Sequence, residues 1–229
     1  MELLDALRTT GSIRSFTDAP VDDAVLRRIL DTARFAPNGG NAQGWRVIVV
    51  RDPGVRSALR DIYLAGWYEY IAMGMAGLRP WAPPTPHEAE AAAIAEHSAA
   101  APAVSGGRGG FAEALDTVPA LLVVVADLKA LAAVDRDLPR YTFAGGASIY
   151  PFVWSLLLAA RSEGLGGVIT TMVIRREPEV KSLLGIPDDH AVAAVVALGH
   201  PVHQPTRLTR GDVDTFTTVD RQDGPSLGS

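Results

Sequence analysis

The sequence predicts a mixed α and β fold in which helices and strands are interspersed around one sheet. Three features indicate this: several segments repeat apolar residues at helical spacing, short β-branched runs lie between them, and no internal repeat is present. The chain has 229 residues, of which 48% are hydrophobic and 21% charged, so it is long and apolar enough to bury a sizeable core. We therefore expect one domain over residues 1–229.

The first predicted helix starts after Asp22, whose carboxylate can accept a backbone N–H as an N-cap. Apolar residues then recur at three- and four-residue spacing as far as Ala33. Pro37 ends the helix, because the residue before a proline avoids the helical conformation. The next segment, Trp45–Arg51, is apolar and β-branched, which is typical of a buried strand. Pro53–Met75 is then predicted to form a long helix.

Residues 79–110 differ from the rest of the chain in composition. They hold a cluster of prolines, and a glycine-rich run from Gly106 to Gly110 closes the stretch. Between these lies Glu88–Ala100, an alanine-rich segment that favours a helix. A long irregular insertion in a compact domain is usually a lid or a surface excursion, and we expect that here rather than a domain boundary.

The second half of the chain alternates strands and helices. Gly164 follows the predicted apolar helix Ile149–Ala160 and is placed to end it in a left-handed conformation. The predicted strands are Val118–Ala126, Val168–Ile174 and Ala191–Leu198, and the predicted helices are Ile149–Ala160 and Glu177–Leu184.

Charge and hydropathy exclude two classes of partner. Lys and Arg total 21 against 26 Asp and Glu, a net charge of −5, whereas non-specific nucleic-acid binding needs a basic surface. Apolar runs such as Val118–Ala126 fall well short of the ~20 residues that span a bilayer. The start, Met1–Asp5, is acidic and lacks the basic region of a signal peptide. We expect a cytoplasmic protein with no nucleic-acid or membrane partner.

The absence of cysteine excludes disulfide scaffolds, thiolate metal sites and cysteine catalysis. Any redox chemistry must then be carried by a bound cofactor. His200 and His203 lie on either side of a proline turn without an obvious third ligand, so no metal site is expected. The run Gly164–Gly167 follows a helix and precedes a strand, which is the reverse of the order that aims a helix N-terminus at a nucleotide phosphate.

Four motifs carry more specific information. They are Arg8–Phe16, Ala36–Trp45, Ala160–Gly167, and Leu198–Pro201 followed by Arg207–Arg210. In sequence and order they closely resemble the nitroreductase family of FMN-dependent oxidoreductases, which opens with a Ser-x-Arg-x-Phe-Thr element and places Ala-Pro-Ser-Gly-Gly-Asn-x-Gln-Pro-Trp ahead of a strand. The matches spread from Leu3 to Asp220. Residues 67–117, where this family varies most, are unmatched.

The resemblance implies an α+β fold with a central, mostly antiparallel sheet flanked by helices. It also implies an intertwined homodimer in which two FMN molecules lie at the subunit interface, each contacted by both chains. Residues 67–117 would form a variable lid, and residues 203–229 would form a C-terminal tail that wraps around the partner.

The resemblance also assigns roles to residues. Arg14 would lie near N1 and O2 of the flavin, where a guanidinium stabilises negative charge, and Ser12 would donate to the phosphate or ribityl chain. Residues 169–171 would lie near N5, while the turn over residues 37–41 would reach the ring from the other subunit. The implied cofactor-binding residues are Thr10, Gly11, Ser12, Arg14, Pro37, Asn38, Gly39, Asn41, Ile169, Thr170, Thr171, Arg207 and Arg210. The aromatic residues that border or lie within the lid, as candidates to stack on a flat acceptor, are Trp67, Tyr70 and Trp81.

Departures from the family pattern leave several roles open. Most relatives have Arg-Arg where Thr10 and Gly11 stand here, and the first of those arginines grips the FMN phosphate. The alternatives are that Arg8 or Arg207 replaces this charge, or that the phosphate is bound more weakly. The turn at Asn38 is also a helix-ending signal, and the three aromatic residues also suit simple helix packing.

The function that the resemblance implies is that of an FMN-dependent oxidoreductase. It would pass hydride from NAD(P)H through flavin N5 to a nitroaromatic, a quinone or a similar flat electrophile in a ping-pong cycle. No catalytic side chain is assigned, because the flavin carries the chemistry. Two alternatives stay open: a flavin- or deazaflavin-binding or storage protein without reductase turnover, and a flavin-dependent oxidase or dehydrogenase acting on a biosynthetic intermediate. The choice between NADH and NADPH is open as well.

Overall fold

Seven α-helices and four β-strands form within residues 2–106 and 110–227, which are the residues that this computed structural model describes. The helices are α1 (Leu3–Thr9), α2 (Asp23–Ala33), α3 (Pro53–Met75), α4 (His87–His97), α5 (Ala101–Val104), α6 (Tyr150–Ser162) and α7 (Glu177–Leu184). The strands are β1 (Trp45–Val50), β2 (Ala120–Asp127), β3 (Gly166–Thr170) and β4 (His190–Gly199). None of the described helices combines the length and apolarity needed to cross a membrane.

The four strands make one sheet in the order β1-β2-β4-β3, and every neighbouring pair is antiparallel. Helices cover both faces. Leu122 and Val124 of β2 pack with α2 and α6, whereas Val123 and Val125 pack with α3 and α7. Because β2 is buried on both sides, it is apolar at nearly every position instead of alternating. The predicted α+β fold with an antiparallel sheet flanked by helices is confirmed.

One predicted strand is wrong over its C-terminal half. The segment 168–174 was expected to be extended, but β3 ends at Thr170 and a 3-10 turn over Met172–Arg176 leads into α7. Val173, a residue of this turn, is fully buried in the core. Burial selects β-branched apolar residues in either geometry, so composition alone does not locate the end of the strand.

The remaining differences lie near the N-terminus and in the expected lid. The patterns that predict the other helices do not predict α1. The helix expected over Glu88–Ala100 is α4, which ends at His97, and the short α5 follows beyond the expected range. Glu90 and Ala93 of α4 are buried, and α4 packs against α3. Residues 107–109 of the glycine-rich run lie outside the described residues.

Gly164 ends α6 as its position in the sequence predicts. It adopts a left-handed φ of 79°, and Leu165 N–H donates to the carbonyl of Ala160 at 2.9 Å while Gly164 N–H donates to Arg161 at 3.2 Å. These two bonds make a Schellman motif, which satisfies carbonyls that the helix end would otherwise leave unpaired. The chain then turns directly into β3.

The N-terminal segment lies along β3 because two glycines allow a close approach. Ile13 N–H donates to the carbonyl of Gly167 at 2.8 Å, and Ser12 forms a parallel bridge with the same residue. A Cβ on Gly166 would lie 2.6 Å from Ile13 Cγ1, and one on Gly167 would lie 2.7 Å from the carbonyl oxygen of Ala197. The glycine run therefore serves strand packing, in agreement with the exclusion of a dinucleotide motif.

A Gly167→Ala substitution tests this close approach. The added methyl group meets the backbone of β4 as well as Leu198 and Leu157, so we expect the free energy of unfolding to fall by about 1–3 kcal/mol. Urea or guanidinium denaturation measures the change. The control is Gly74→Ala on α3, where a Cβ meets nothing within 4 Å; its stability should be unchanged or slightly higher. Equal stability of G167A and wild type would contradict the packing role.

Candidate functional site

A cleft of about 500 Å³ opens beside the end of β3, and we name it the central cleft. It brings together Arg14, residues 169–171 and two of the predicted aromatic residues, Trp67 and Tyr70. Its full lining is Arg14, Tyr63, Trp67, Tyr70, Ser105, Phe111, Ala112, Ile169, Thr170, Thr171 and Met172. Residues far apart in the sequence thus meet where the N-terminal segment, β3 and α3 come together.

Arg14 is an unpaired cation in this cleft. Its side chain is exposed and forms no ion pair or hydrogen bond with any residue that the structure describes. The preceding residues, Ser12 and Ile13, are fixed against Gly167 of β3. A guanidinium held in place by its backbone and free of carboxylates is available to an anionic or electron-rich ligand.

Tyr63 is a residue of the cleft that the sequence analysis missed as part of the site. Thr170 Oγ1 donates to the Tyr63 hydroxyl at 3.4 Å, and burial raises the pKa of Tyr63 while the nearby Arg14 opposes that rise. The phenol is therefore neutral near pH 7. Its hydroxyl group lies next to Thr170, another residue that lines the cleft. Its four-residue spacing from Trp67 on α3 was the available signal, because residues four apart lie on one helix face.

Trp67 connects α3 to the segment that covers it. Its ring stacks on Tyr70, with centroids 5.3 Å apart and an angle of 8° between the planes. The indole Nε1–H donates to Ser105 Oγ at 2.8 Å. Stacking and this hydrogen bond fix the orientation of a large aromatic wall in the cleft.

Trp81, the third predicted aromatic residue, lies in a neighbouring cleft of about 510 Å³, which we name the side cleft. The two clefts share Tyr70, Thr171 and Met172 as walls. The side cleft is lined by Tyr70, Trp81, Tyr150, Thr171, Met172, Ile174 and Arg175. Nothing in the local sequence pattern marks Arg175, which directly follows the segment 168–174 that was expected to be a strand and lies in the 3-10 turn.

A third cleft, of about 520 Å³, lies between α1 and the C-terminal segment, and we name it the arginine cleft. Arg8, Arg207 and Arg210 line it, and none of them forms an ion pair with a described residue. Asp5 is the one carboxylate among the residues that line it. Gln204 Nε2 donates to the carbonyl of Thr9 at 3.1 Å and so ties the two segments together. Three cations around one opening form a strong site for an anion.

Thr10 and Gly11 connect the arginine cleft to the central cleft but line neither of them. Thr10 is only 7% exposed, and its hydroxyl has no hydrogen-bond partner among the described residues. A Cβ on Gly11 would lie 2.9 Å from Leu208 Cδ2. Both residues are therefore occupied with packing the N-terminal segment against the C-terminal one.

The turn over residues 37–41 does not line the central cleft of its own chain. Asn38 Oδ1 accepts from Gln43 N–H at 2.8 Å, and Gly39 N–H donates to Ser148 Oγ at 3.0 Å. Gly40 and Asn41 both have left-handed backbone, with φ of 59° and 54°. The turn that follows α2 therefore has a fixed shape and is hydrogen-bonded to the loop that precedes α6.

That loop is fixed by a buried carboxylate. Asp135 Oδ2 accepts from Arg140 Nη1 at 2.8 Å and from the backbone N–H groups of Phe143 and Ala144 at 2.9 and 3.3 Å. The hydrogen bonds, first of all that from Phe143, lower the pKa of Asp135 to about 2.

The described residues contain no group of three or more His, Asp or Glu side chains placed to hold a metal ion.

Comparison with known proteins gives one consistent result. The nitroreductase family model matches residues 7–200. A protein named NADH dehydrogenase from Thermus thermophilus is 33% identical over 196 residues, which cover 84% of this chain and 83% of that protein. A 5,6-dimethylbenzimidazole synthase from Rhodobacter capsulatus is 29% identical over 87% of this chain and 83% of that protein. A variant of an FMN- and NADPH-dependent nitroreductase from Sphingopyxis sp. strain HMH has the same fold, with a TM-score of 0.65 and 24% identity over 96% of this chain and 100% of that chain.

The Asp135 hydrogen bonds predict a pH-dependent stability. Because the pKa of Asp135 is lower in the folded chain than its ordinary value of 3.8, its contribution is present above about pH 5 and is lost as the pH falls from about 4 towards 2. We expect Asp135→Asn to lower Tm by a few degrees at pH 7, with the difference narrowing below pH 4. Asp137→Asn is the control, since Asp137 is exposed and its one ion pair with a described residue is to Arg136 at 3.6 Å. A Tm difference for D135N that stays constant down to pH 3 would contradict the assignment.

Proposed function

The chain belongs to the nitroreductase family, and we propose that it is an FMN-dependent oxidoreductase that uses NAD(P)H to reduce a nitroaromatic, a quinone or a similar flat electrophile. One observation carries the proposal. The unpaired Arg14 shares a cleft with residues 169–171 and with aromatic walls, and the segment that carries Arg14 begins at the arginine cleft. A flat ring and a phosphate at the two ends of one ligand suit this arrangement.

The central cleft suits the ring of FMN. Trp67, Tyr70 and Met172 give it flat or apolar walls, and β3 presents its last residues there. Arg14 supplies a fixed cation for the negative charge that a flavin acquires on reduction. We assign Ile169, Thr170 and Thr171 to the ring and Ser12 to the ribityl chain or phosphate.

The arginine cleft suits the phosphate. The family motif implies that Arg210 pairs the phosphate, with Arg207 as the competing candidate, and Arg8 adds a third cation. Thr10 is buried and Gly11 is packed, so we propose that Arg8 and Arg207 together replace the arginine that most relatives have at the position of Thr10. Three unpaired guanidinium groups offset the lost charge.

When bound, FMN supplies a two-electron carrier that takes hydride from NAD(P)H and reduces the acceptor. The chain's own residues bind the cofactor, orient the donor and the acceptor, and exclude water. No side chain is assigned as an acid or base: the Tyr63 phenol, the nearest candidate in the cleft, has a raised pKa and remains neutral near pH 7. We therefore attribute the rate of hydride transfer to the positioning of the donor and the acceptor against the flavin ring.

We further propose a homodimer in which the turn over residues 37–41 completes the partner's cofactor site and residues 203–229 wrap around it. The turn has a fixed shape yet lines no central cleft of its own chain. The exposed apolar residues include several on α1, one next to this turn and two in the tail: Leu3, Leu4, Leu7, Phe35, Val213 and Phe216. Covering them would remove a large apolar surface from water.

A second candidate is a flavin-dependent oxidase or dehydrogenase acting on a biosynthetic intermediate. The 29% identity to a protein named 5,6-dimethylbenzimidazole synthase favours it over simple flavin storage. This candidate needs the same FMN site but not NAD(P)H, so the electron donor separates the two.

The deciding measurement is a visible absorption spectrum of the purified protein, before and after anaerobic addition of NADH or NADPH. We expect a flavin spectrum that bleaches with one of the donors and returns when a nitroaromatic or a quinone is added. A flavin that stays oxidised would point to the second candidate or to storage. A colourless protein that cannot be loaded with FMN would contradict the proposal.

Paired variants test the two ends of the FMN site. Arg14→Gln should weaken FMN and riboflavin binding to a similar degree, because Arg14 serves the ring that both share. Arg207→Gln should weaken FMN binding by about tenfold or more and leave riboflavin unaffected, because only FMN has a phosphate. Flavin fluorescence titration measures both dissociation constants. Arg136→Gln, which removes an exposed arginine that lines none of the three clefts, is the charge control.

If R207Q weakens both flavins equally, or R14Q affects FMN alone, the assignment of the two ends is wrong. If neither variant changes either constant, neither arginine binds the cofactor.

A further inference from the structure

The side cleft contains a cation beside aromatic surface. The guanidinium carbon of Arg175 lies 4.7 Å from the centroid of the Trp81 ring, and the rings of Trp81 and Tyr70 are 6.0 Å apart with an angle of 51° between them. Tyr150 and Ile174 complete the lining. A site with aromatic walls and one guanidinium fits a flat ligand that carries a negative charge.

Arg175 keeps most of its hydrogen-bonding capacity for such a ligand. Glu69 is the carboxylate closest to it, and Arg176 Nη2 binds Glu69 Oε1 at 3.0 Å while Arg175 Nη2 lies 3.7 Å from Glu69 Oε2. Arg175 donates no hydrogen bond to any described residue, and its side chain is 48% exposed. Arg176 also lies 4.0 Å from Glu179, whereas Glu69 is the one carboxylate within 4.0 Å of the Arg175 guanidinium among the described residues. Arg175 is therefore the less neutralised of the two arginines.

Trp81 is held in a conformation that needs support. Its φ is 51°, in the left-handed region that bulky residues rarely adopt. Such strain persists only where surrounding contacts stabilise it, and it is concentrated at binding sites. The contacts here are the Tyr70 ring and the Arg175 guanidinium, both of which line the side cleft.

We propose that the side cleft is a specificity subsite for the carboxylate of an aromatic acceptor, with Arg175 as the residue that binds the carboxylate. The proposal rests on the proposed function, because Tyr70, Thr171 and Met172 are walls of both the central and the side cleft. An aromatic ring over the shared walls can place its reducible group in the central cleft and its carboxylate at Arg175. The preferred acceptors are therefore aromatic carboxylates rather than neutral aromatics.

A carboxylate suits this site better than a phosphate. One guanidinium matches one planar carboxylate through two parallel hydrogen bonds. The arginine cleft, by comparison, gathers three cations, as a doubly charged phosphate requires. Glu69 beside Arg175 also moderates the positive charge, which disfavours the larger charge of a dinucleotide.

Equilibrium binding tests the subsite without turnover. The oxidised, FMN-loaded protein is titrated with 4-nitrobenzoate and with its neutral analogue 4-nitrobenzamide by isothermal titration calorimetry. We expect the carboxylate to bind about tenfold tighter than the amide, and Arg175→Gln to abolish that preference. Quenching of tryptophan fluorescence by the carboxylate should decrease in Trp81→Phe, which locates the ligand at the side cleft.

Three further variants make the result specific to charge at this position. Arg175→Lys should keep part of the preference, since it retains the cation without the planar fork. Glu69→Gln should tighten carboxylate binding severalfold, because it removes the competing anion. Arg136 lines neither the central nor the side cleft, so Arg136→Gln should leave the preference for the carboxylate unchanged.

Equal affinity for the two ligands, an unchanged preference in R175Q, or an E69Q variant that weakens carboxylate binding would each overturn the proposal. Displacement of bound 4-nitrobenzoate by pyrophosphate or NADP⁺ distinguishes a carboxylate subsite from a subsite for the phosphates of the electron donor. Tight binding of pyrophosphate at Trp81 would also overturn the proposal. Because none of these titrations depends on reduction, a protein that NAD(P)H fails to reduce would contradict the proposed function and still give a result for the subsite.

Discussion

The close packing of the N-terminal segment on β3 is the constraint on which the rest of the site depends. Ile13 N–H binds the carbonyl of Gly167, and neither Gly166 nor Gly167 has room for a side chain. This contact places Arg14 beside the end of β3 and leads the chain back through Thr10 to α1. The two clefts that we propose for FMN therefore lie at the two ends of one segment, and this backbone contact sets the position from which Arg14 extends.

The second wall of the site comes from α3. Its inner residues, such as Leu59, are buried against the sheet face that also holds Val123 and Val168. The same helix presents Tyr63, Trp67 and Tyr70 towards the clefts, so the aromatic walls are attached to a rigid core element. Rigid walls suit a cofactor whose ring must be held in one orientation while ligands exchange.

Electrostatics distinguish the arginines that stabilise the fold from those that remain available. Arg28 forms a bidentate pair with Glu163 at 2.7 Å, whereas Arg8, Arg14 and Arg207 have no carboxylate partner among the described residues. These three arginines line the central and arginine clefts of a chain whose net charge is −5. Such local positive potential favours anionic ligands without making the surface generally attractive to polyanions.

The sequence by itself determined most of the elements and the resemblance to the family. Apolar spacing located α2, α3 and α6, Gly164 marked a helix end, and the Ser12–Phe16 motif marked the N-terminal segment, because each of these signals is local. The tertiary structure alone decided which residues share a cleft. It separated Trp81 from Trp67, added Tyr63, ended β3 at Thr170 and brought Arg175 over Trp81. Those outcomes depend on packing between segments that are distant in the sequence, and no local pattern records that packing.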